Sequence, residues 1–144
     1  MNEGRQVVMD TSTLVGAVLR PDSIPRQAFL TAIGSYELCV SAASLNELQE
    51  VLQRRKFDRY APLQERQNFL TLLTRRSTLC AVDAVSARAA SGACRDAKDD
   101  KFLALALACQ AVALVTSDGD LTALHPWRDI QILTPAAFVA MAQT

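Results

Sequence analysis

The 144-residue sequence predicts an α/β protein in which helices cover both faces of a parallel sheet. Three observations carry that expectation. Five short apolar runs of strand type recur along the chain, and helical patterns separate them in alternation. No low-complexity tract or fixed-period repeat interrupts the order. Half of the residues are hydrophobic, enough to build a sizeable core, so one domain spanning 1–144 is expected.

The elements follow from periodicity and breaker residues. Gln6 to Met9 (QVVM) is an apolar run that ends at Asp10. Thr11 or Ser12 caps a helix with Leu14, Val15, Val18 and Leu19 on its apolar stripe, and Pro21 follows its end. After PDSIP a second helix runs to about Ile33, with Gly34 as its stop, and Tyr36 to Val40 (YELCV) is the second strand. From Ala42 to about Arg54 the pattern is helical, with Leu45, Leu48 and Leu52 on one face and Glu47 on the neighbouring one. Pro62 opens another amphipathic helix through Phe69, Leu72 and Leu73, and Thr78 to Val82 (TLCAV) is the third strand.

A helical or irregular segment through Val85 and Ala89 leads to CRDAKDDKFLALAL, where Asp99 or Asp100 caps an apolar helix. That helix feeds the strand AVALVT. Asp118 to Asp120 then make a turn, a short helical piece ends near Leu124, and Ile130 to Leu133 is the last strand. Thr134 and Pro135 start a final helix, PAAFVAMA, at positions that suit a cap and an N-terminal proline.

Composition narrows the functional classes. The start, MNEGRQVVMD, has no basic stretch followed by a long apolar run, and no segment approaches the roughly 20 apolar residues that span a bilayer, so a cytoplasmic protein with no membrane role is expected. Cys39, Cys80, Cys94 and Cys109 lie far apart, without CxxC spacing, and read as ordinary thiols with no redox role. Fifteen basic and fifteen acidic side chains cancel, which at face value argues against a nucleic-acid partner. If four acids are committed to one pocket, 11 acids face 15 bases elsewhere, and a positive rim surrounds a negative centre.

The candidate acids are Asp10, Glu47, Asp100 and Asp118. In open parallel sheets ligands sit beyond the carboxyl ends of the strands. Asp10 directly follows the first strand and Asp118 closely follows the fourth, and these strands neighbour each other where a doubly wound sheet reverses. Asp100 opens the helix that leads into the fourth strand, which brings it to the same rim, and Glu47 reaches inward from the helix after the second strand. Each has a bland alternative as a helix cap, a solvated helix residue or a turn former. Four acids from four elements at one rim weaken those alternatives. Crowded carboxylates repel, and a divalent cation relieves that cost. An all-oxygen donor set without histidine or thiolate selects Mg²⁺ or Mn²⁺, ions that clamp phosphate oxygens and so suit phosphodiester hydrolysis.

VVMDTSTLVGAVL resembles the opening of PIN-domain proteins, whose first strand ends in Asp-Thr-Asn or Asp-Thr-Ser. SAASLNELQEVLQRRKF is similar to the family's second motif, CRDAKDDKFLALAL and ALVTSDGDL to the third and fourth, and ILTPAAFVAM to the closing strand and helix, so the likeness covers nearly the whole chain. The resemblance is strongest to the toxins of toxin–antitoxin pairs related to VapC ribonucleases. It implies a three-layer α/β/α sandwich with a five-stranded parallel sheet in the order 3-2-1-4-5, Mg²⁺- or Mn²⁺-dependent endoribonuclease activity leaving a 5′-phosphate and a 3′-hydroxyl, a homodimer, and a small antitoxin that blocks the site. It assigns metal binding and catalysis to Asp10, Glu47, Asp100 and Asp118, with Ser12, Asp99 and Asp120 as secondary candidates. The family's common asparagine is Ser12 here, a shorter hydrogen-bonding group.

Phosphate contacts are expected from Arg54, Arg55 and Lys56 after the second motif, and from Arg20 and Arg26 around the first loop. His125 is the lone histidine and is expected to take no part in catalysis. A haloacid-dehalogenase phosphatase would need an aspartate where Ser12 stands, and a receiver domain would need a second acid before Asp10 and a late lysine; neither pattern is present. The competing reading is a PIN fold kept as an RNA-binding or protein-interaction module with idle acids.

Overall fold

The computed structural model describes residues 4–143. Its strands are β1 (Gln6–Met9), β2 (Glu37–Val40), β3 (Ser77–Leu79), β4 (Ala113–Val115) and β5 (Gln131–Leu133), all parallel and ordered β3-β2-β1-β4-β5. The helices are α1 (Thr11–Leu19), α2 (Ile24–Ser35), α3 (Ala42–Leu52), α4 (Leu63–Arg76), α5 (Ala84–Ala90), α6 (Asp100–Ala108), α7 (Gly119–Thr122) and α8 (Pro135–Ala142). The expected α/β class and strand order are both present.

Strand alternation divides the core in two. Val7 and Met9 face one side with Leu38, Ala113 and Val115, packing on α1, α2, α3, α4 and α8 through Phe29, Leu48, Leu52, Phe69, Leu73 and Phe138. Val8 and Leu114 face the other, where Phe102, Leu103, Leu105 and Ala106 of α6, Ala90 of α5 and Leu121 of α7 cover the sheet. Each large side chain so buried contributes roughly 1.5–3 kcal/mol. Strand β1 therefore lies in the middle of the sheet with both faces covered, and its carboxyl end is a rigid mount.

Several boundaries differ from the sequence reading. Asp10, rather than Thr11 or Ser12, caps α1, accepting the Thr13 N–H at 3.0 Å. Strand β3 begins one residue earlier and ends three sooner than TLCAV suggested. Its partner β2 ends at Val40, which pairs with Leu79, and the Cys80 N–H makes the last bond, to the Val40 carbonyl. Asp99 stands at the cap position of α6 without a side-chain capping bond, because its carboxyl is turned elsewhere.

The guanidinium of Arg66 on α4 is 1% exposed. It donates to the carbonyls of Leu52 (2.6 Å), Arg54 (3.1 Å) and Ala61 (3.1 Å) and pairs with Asp58. One buried cation thereby fixes the whole segment that follows α3.

Candidate active site

Beyond the carboxyl ends of β1 and β4 lies a cavity of about 350 Å³ whose wall includes Asp10, Asp96, Asp99, Asp118 and Glu47. Strand register builds its floor. Met9 pairs with Val115, so Asp10 and Thr116 stand side by side at the next position. The Thr116 hydroxyl, fully buried, donates to Asp10 Oδ2 at 2.6 Å and accepts the Asp118 N–H at 2.9 Å. One hydroxyl thus ties the first-strand acid to the fourth-strand acid. Asp118 in turn caps α7, its Oδ1 accepting the Asp120 N–H at 2.8 Å. Ser12 is exposed and its hydroxyl donates to Asp10 Oδ2 at 3.4 Å, so it does orient that carboxylate.

Asp100 is the main correction. Its carboxylate accepts the backbone N–H groups of Gly92 (2.8 Å) and Cys94 (2.9 Å), and it lines a different cavity. It clamps the turn between α5 and α6, where Gly92 has φ +76°, a conformation that favours glycine. Asp99, one residue earlier and at the end of a 3-10 turn over Ala97–Asp99, occupies the cup instead. Asp96 joins it there while capping that turn through the Lys98 N–H at 3.0 Å.

Glu47 reaches the cup, but Lys101 Nζ lies 2.5 Å from its Oε2 and also donates to the Lys98 carbonyl. Asp120 is outside the lining. Among the basic candidates, Arg54 lines the cup, and Arg55 and Lys56 are exposed on the turn beside it, with the Lys56 ammonium over the Phe57 ring. Arg20 and Arg26 lie at the far end of α1, which spans nine residues from its start beside Asp10, roughly 13 Å away. Arg26 donates from Nε to the Ala17 carbonyl at 3.0 Å and so serves that helix end. His125 accepts the Ile132 N–H at 2.9 Å on Nδ1, a structural bond away from the acids. Thr116, Thr11 and Asp96 were missed by sequence reasoning; aligning the first and fourth strands end to end would have found Thr116.

Electrostatics record the crowding. Burial raises the pKa of Asp10, opposed by the hydrogen bond from Thr116. Asp99 is pushed up to about 7, first by burial and then by the neighbouring Asp118 carboxyl, with Asp96 and Asp10 adding repulsion. With divalent ions chelated, the folded protein holds the Asp99 proton more tightly than the unfolded chain does. The stability this proton contributes is full below about pH 4, near the ordinary aspartate value, and is lost as pH rises through about 7. Melting temperatures in EDTA should therefore fall from pH 5 to pH 8 more in the wild type than in Asp99→Asn; equal slopes would refute the account.

The donor set suits a hard divalent cation. Every carboxylate in the cup offers oxygen, and the Thr11 hydroxyl, 7% exposed and part of the same wall, has no hydrogen-bond partner. Among the described residues, no three of the acids bring ligand oxygens all within 4.8 Å of one another. That spread suits an ion that keeps several of its own waters.

A parallel sheet in this order, with acids collected past its carboxyl edge at the β1/β4 reversal, defines an α/β protein with an acidic site at the topological switch point. The PIN-domain sequence pattern matches residues 6–120, and the chain belongs to the PIN-domain family, whose members are nucleases. No curated protein matches it in sequence. Solved structures share the fold. VapBC2 from Rickettsia felis, bound to a DNA fragment from its promoter, aligns at 15% identity and TM-score 0.64, covering 90% of this chain and 98% of that one. PAE2754 from Pyrobaculum aerophilum aligns at 12% identity and TM-score 0.63, covering 96% and 90%. FitAcB from Neisseria gonorrhoeae aligns at 19% identity and TM-score 0.56, covering 90% and 98%.

The Thr116 bridge yields a prediction. Thr116→Val keeps shape but removes the hydroxyl that orients Asp10 and receives the Asp118 N–H. Mn²⁺ affinity should drop about 10- to 100-fold, the usual cost of losing a group that orients metal ligands. Thr116→Ser should restore most of it, as read by calorimetric titration.

Proposed function

We propose that this chain is a metal-dependent endoribonuclease, one PIN domain over 1–144, acting as the toxin of a toxin–antitoxin pair. The observation that carries the reading is the meeting of Asp10, Asp99 and Asp118 in one cup, two of them joined through Thr116. Asp10, Asp99 and Asp118 would hold a Mg²⁺ or Mn²⁺ ion, with Asp96 and Glu47 beside them. Such an ion supplies neutralisation of phosphate charge and a more acidic water.

The protein's own groups do the rest. Thr116 and the Thr13 N–H hold Asp10 in one orientation. Lys101 pairs with Glu47 and holds its carboxylate in place from α3, where it can take a proton from water. Arg54 at the rim, with Arg55 and Lys56 beside it, supplies positive charge for the RNA backbone. Two further parts of the reading rest on the family: a small antitoxin that covers the cup, and a homodimer, for which Ile24 and Leu30 on α2 and Leu63 and Leu72 on α4 offer exposed apolar surface.

No helix among the described residues is long and apolar enough to cross a membrane, which is compatible with a cytoplasmic site of action. The test is cleavage of mixed single-stranded RNA by the purified chain with Mn²⁺, Mg²⁺ or EDTA. New 5′-phosphate ends that depend on the ion support the proposal. RNA left intact, with no melting shift on adding Mn²⁺, would instead identify an idle site in a binding module.

A further inference from the structure

Three cysteines that are remote in sequence meet in space, on the helical layer opposite α1. Cys39 on β2 points away from the Leu38 side, into the core beneath α6, and is 2% exposed. Cys80 follows the end of β3; because Thr78 pairs with Cys39, the residue two further on faces the same side. Cys109 is the C-cap of α6. Their sulfurs all lie within 4.8 Å of one another, and all three are free thiols. Cys94, the fourth, is not part of the group.

We propose that Cys39, Cys80 and Cys109 form a three-thiolate site for a soft, thiophilic metal cation, separate from the carboxylate cup. Thiolate donors select soft ions such as Cu(I) and Zn²⁺ over Mg²⁺ or Mn²⁺. Three sulfurs about 2.3 Å from a central ion are roughly 4.0 Å apart when coplanar with it, so less than about 1 Å of closure converts the observed cluster into a coordination shell. Two of the three residues sit at element ends, where such adjustment is easy. Access exists as well. Cys80 is half-buried and lines a cavity of about 500 Å³ with Ser41, Ala87 and Ser91. Among the described residues no histidine or carboxylate completes the group, so three-coordination, or a fourth position taken by solvent, is the geometry on offer.

The thiols also sense one another. The hydrogen bond with Cys109, followed by burial, raises the Cys39 pKa, and burial followed by contact with Cys39 pushes Cys80 up to about 11. At neutral pH these two hold their protons, and an arriving ion must displace them as it binds. The bound ion would tie β2, the end of the edge strand β3 and the C-terminus of α6 into one unit.

The experiment uses the full chain, reduced and stripped of metal, titrated with Cd²⁺ as a spectroscopic surrogate and followed by thiolate-to-metal charge-transfer absorption in the ultraviolet, which carboxylates do not produce. Saturation at one ion per chain, at least tenfold weaker in Cys80→Ser and in Cys109→Ser but unchanged in Cys94→Ser, supports the site. Both informative positions are half-buried rather than deep in the core, and circular dichroism confirms that each variant is folded. A rise of several degrees in melting temperature with Zn²⁺ or Cu(I), absent in the same two variants, is the second supporting result. No saturable band, a band that survives either substitution at full strength, or one lost in Cys94→Ser would overturn the proposal.

Discussion

Asp99→Asn should reduce RNA cleavage by about a thousandfold, roughly 4 kcal/mol of transition-state stabilisation at 1.36 kcal/mol per decade, while Asp100→Asn should leave a largely active enzyme. The two carboxylates are adjacent in sequence and have different tasks. Asp99 lies in the cup beside Asp118. Asp100 is spent on two backbone N–H groups, so its amide loses one charged acceptor and costs about 1–3 kcal/mol of stability. The variants should therefore separate cleanly. Asp99→Asn loses turnover and Mn²⁺ binding with an unchanged or higher melting temperature in EDTA, since repulsion is relieved. Asp100→Asn shows the reverse pattern. Loss of cleavage in Asp100→Asn with a normal melting temperature would refute the assignment.

Arg66→Leu should be strongly destabilising although it lies outside the site. It removes a buried cation that holds three backbone carbonyls and the Asp58 carboxylate. Leucine fills part of the volume but satisfies none of those acceptors, each worth about 1–3 kcal/mol if left unpaired in the interior. Partial entry of water limits the total to roughly 3–5 kcal/mol, a fall of about 10 °C in melting temperature for a chain of this size. The segment so released carries Arg54 and Phe57, both lining the acidic cup, so RNA affinity should weaken with stability. Arg66→Lys should rescue little, because an ammonium cannot span acceptors that the planar guanidinium fork reaches together. A melting temperature within 2 °C of wild type, a drop of roughly 1 kcal/mol or less, would show that the segment is held by other means.

Reading of the residues reached the parallel sheet and brought Asp10, Glu47 and Asp118 to the rim where the cavity lies, and the strand order came with the resemblance to PIN domains. Runs such as QVVM and ALV are apolar on both faces because both faces of a central parallel strand are covered, and the helices carry readable stripes and caps. That reading failed where one residue of offset matters. Consecutive helical positions differ by about 100° in direction, so choosing between Asp99 and Asp100 requires knowing that a 3-10 turn precedes α6 and that Gly92 and Cys94 present their N–H groups to the second of them. The end of β3 was misjudged for a similar reason. TLCAV is apolar enough to continue, but β2 stops offering partners at Val40. The cysteine trio was invisible because it depends on Cys39 and Cys80 facing the same side of the sheet under the end of α6.

Asp10 has a scaffold role besides its place in the cup, since the carboxylate that faces the cup also caps α1. Asparagine caps a helix about as well as aspartate, whereas alanine at such a position costs about 1 kcal/mol. Under the proposed function, an inert bait for trapping uncut RNA or an inhibitory partner is therefore better made as Asp10→Asn than as Asp10→Ala: the first should remove cleavage with the helix cap intact, and the second should mix that loss with a loosened helix.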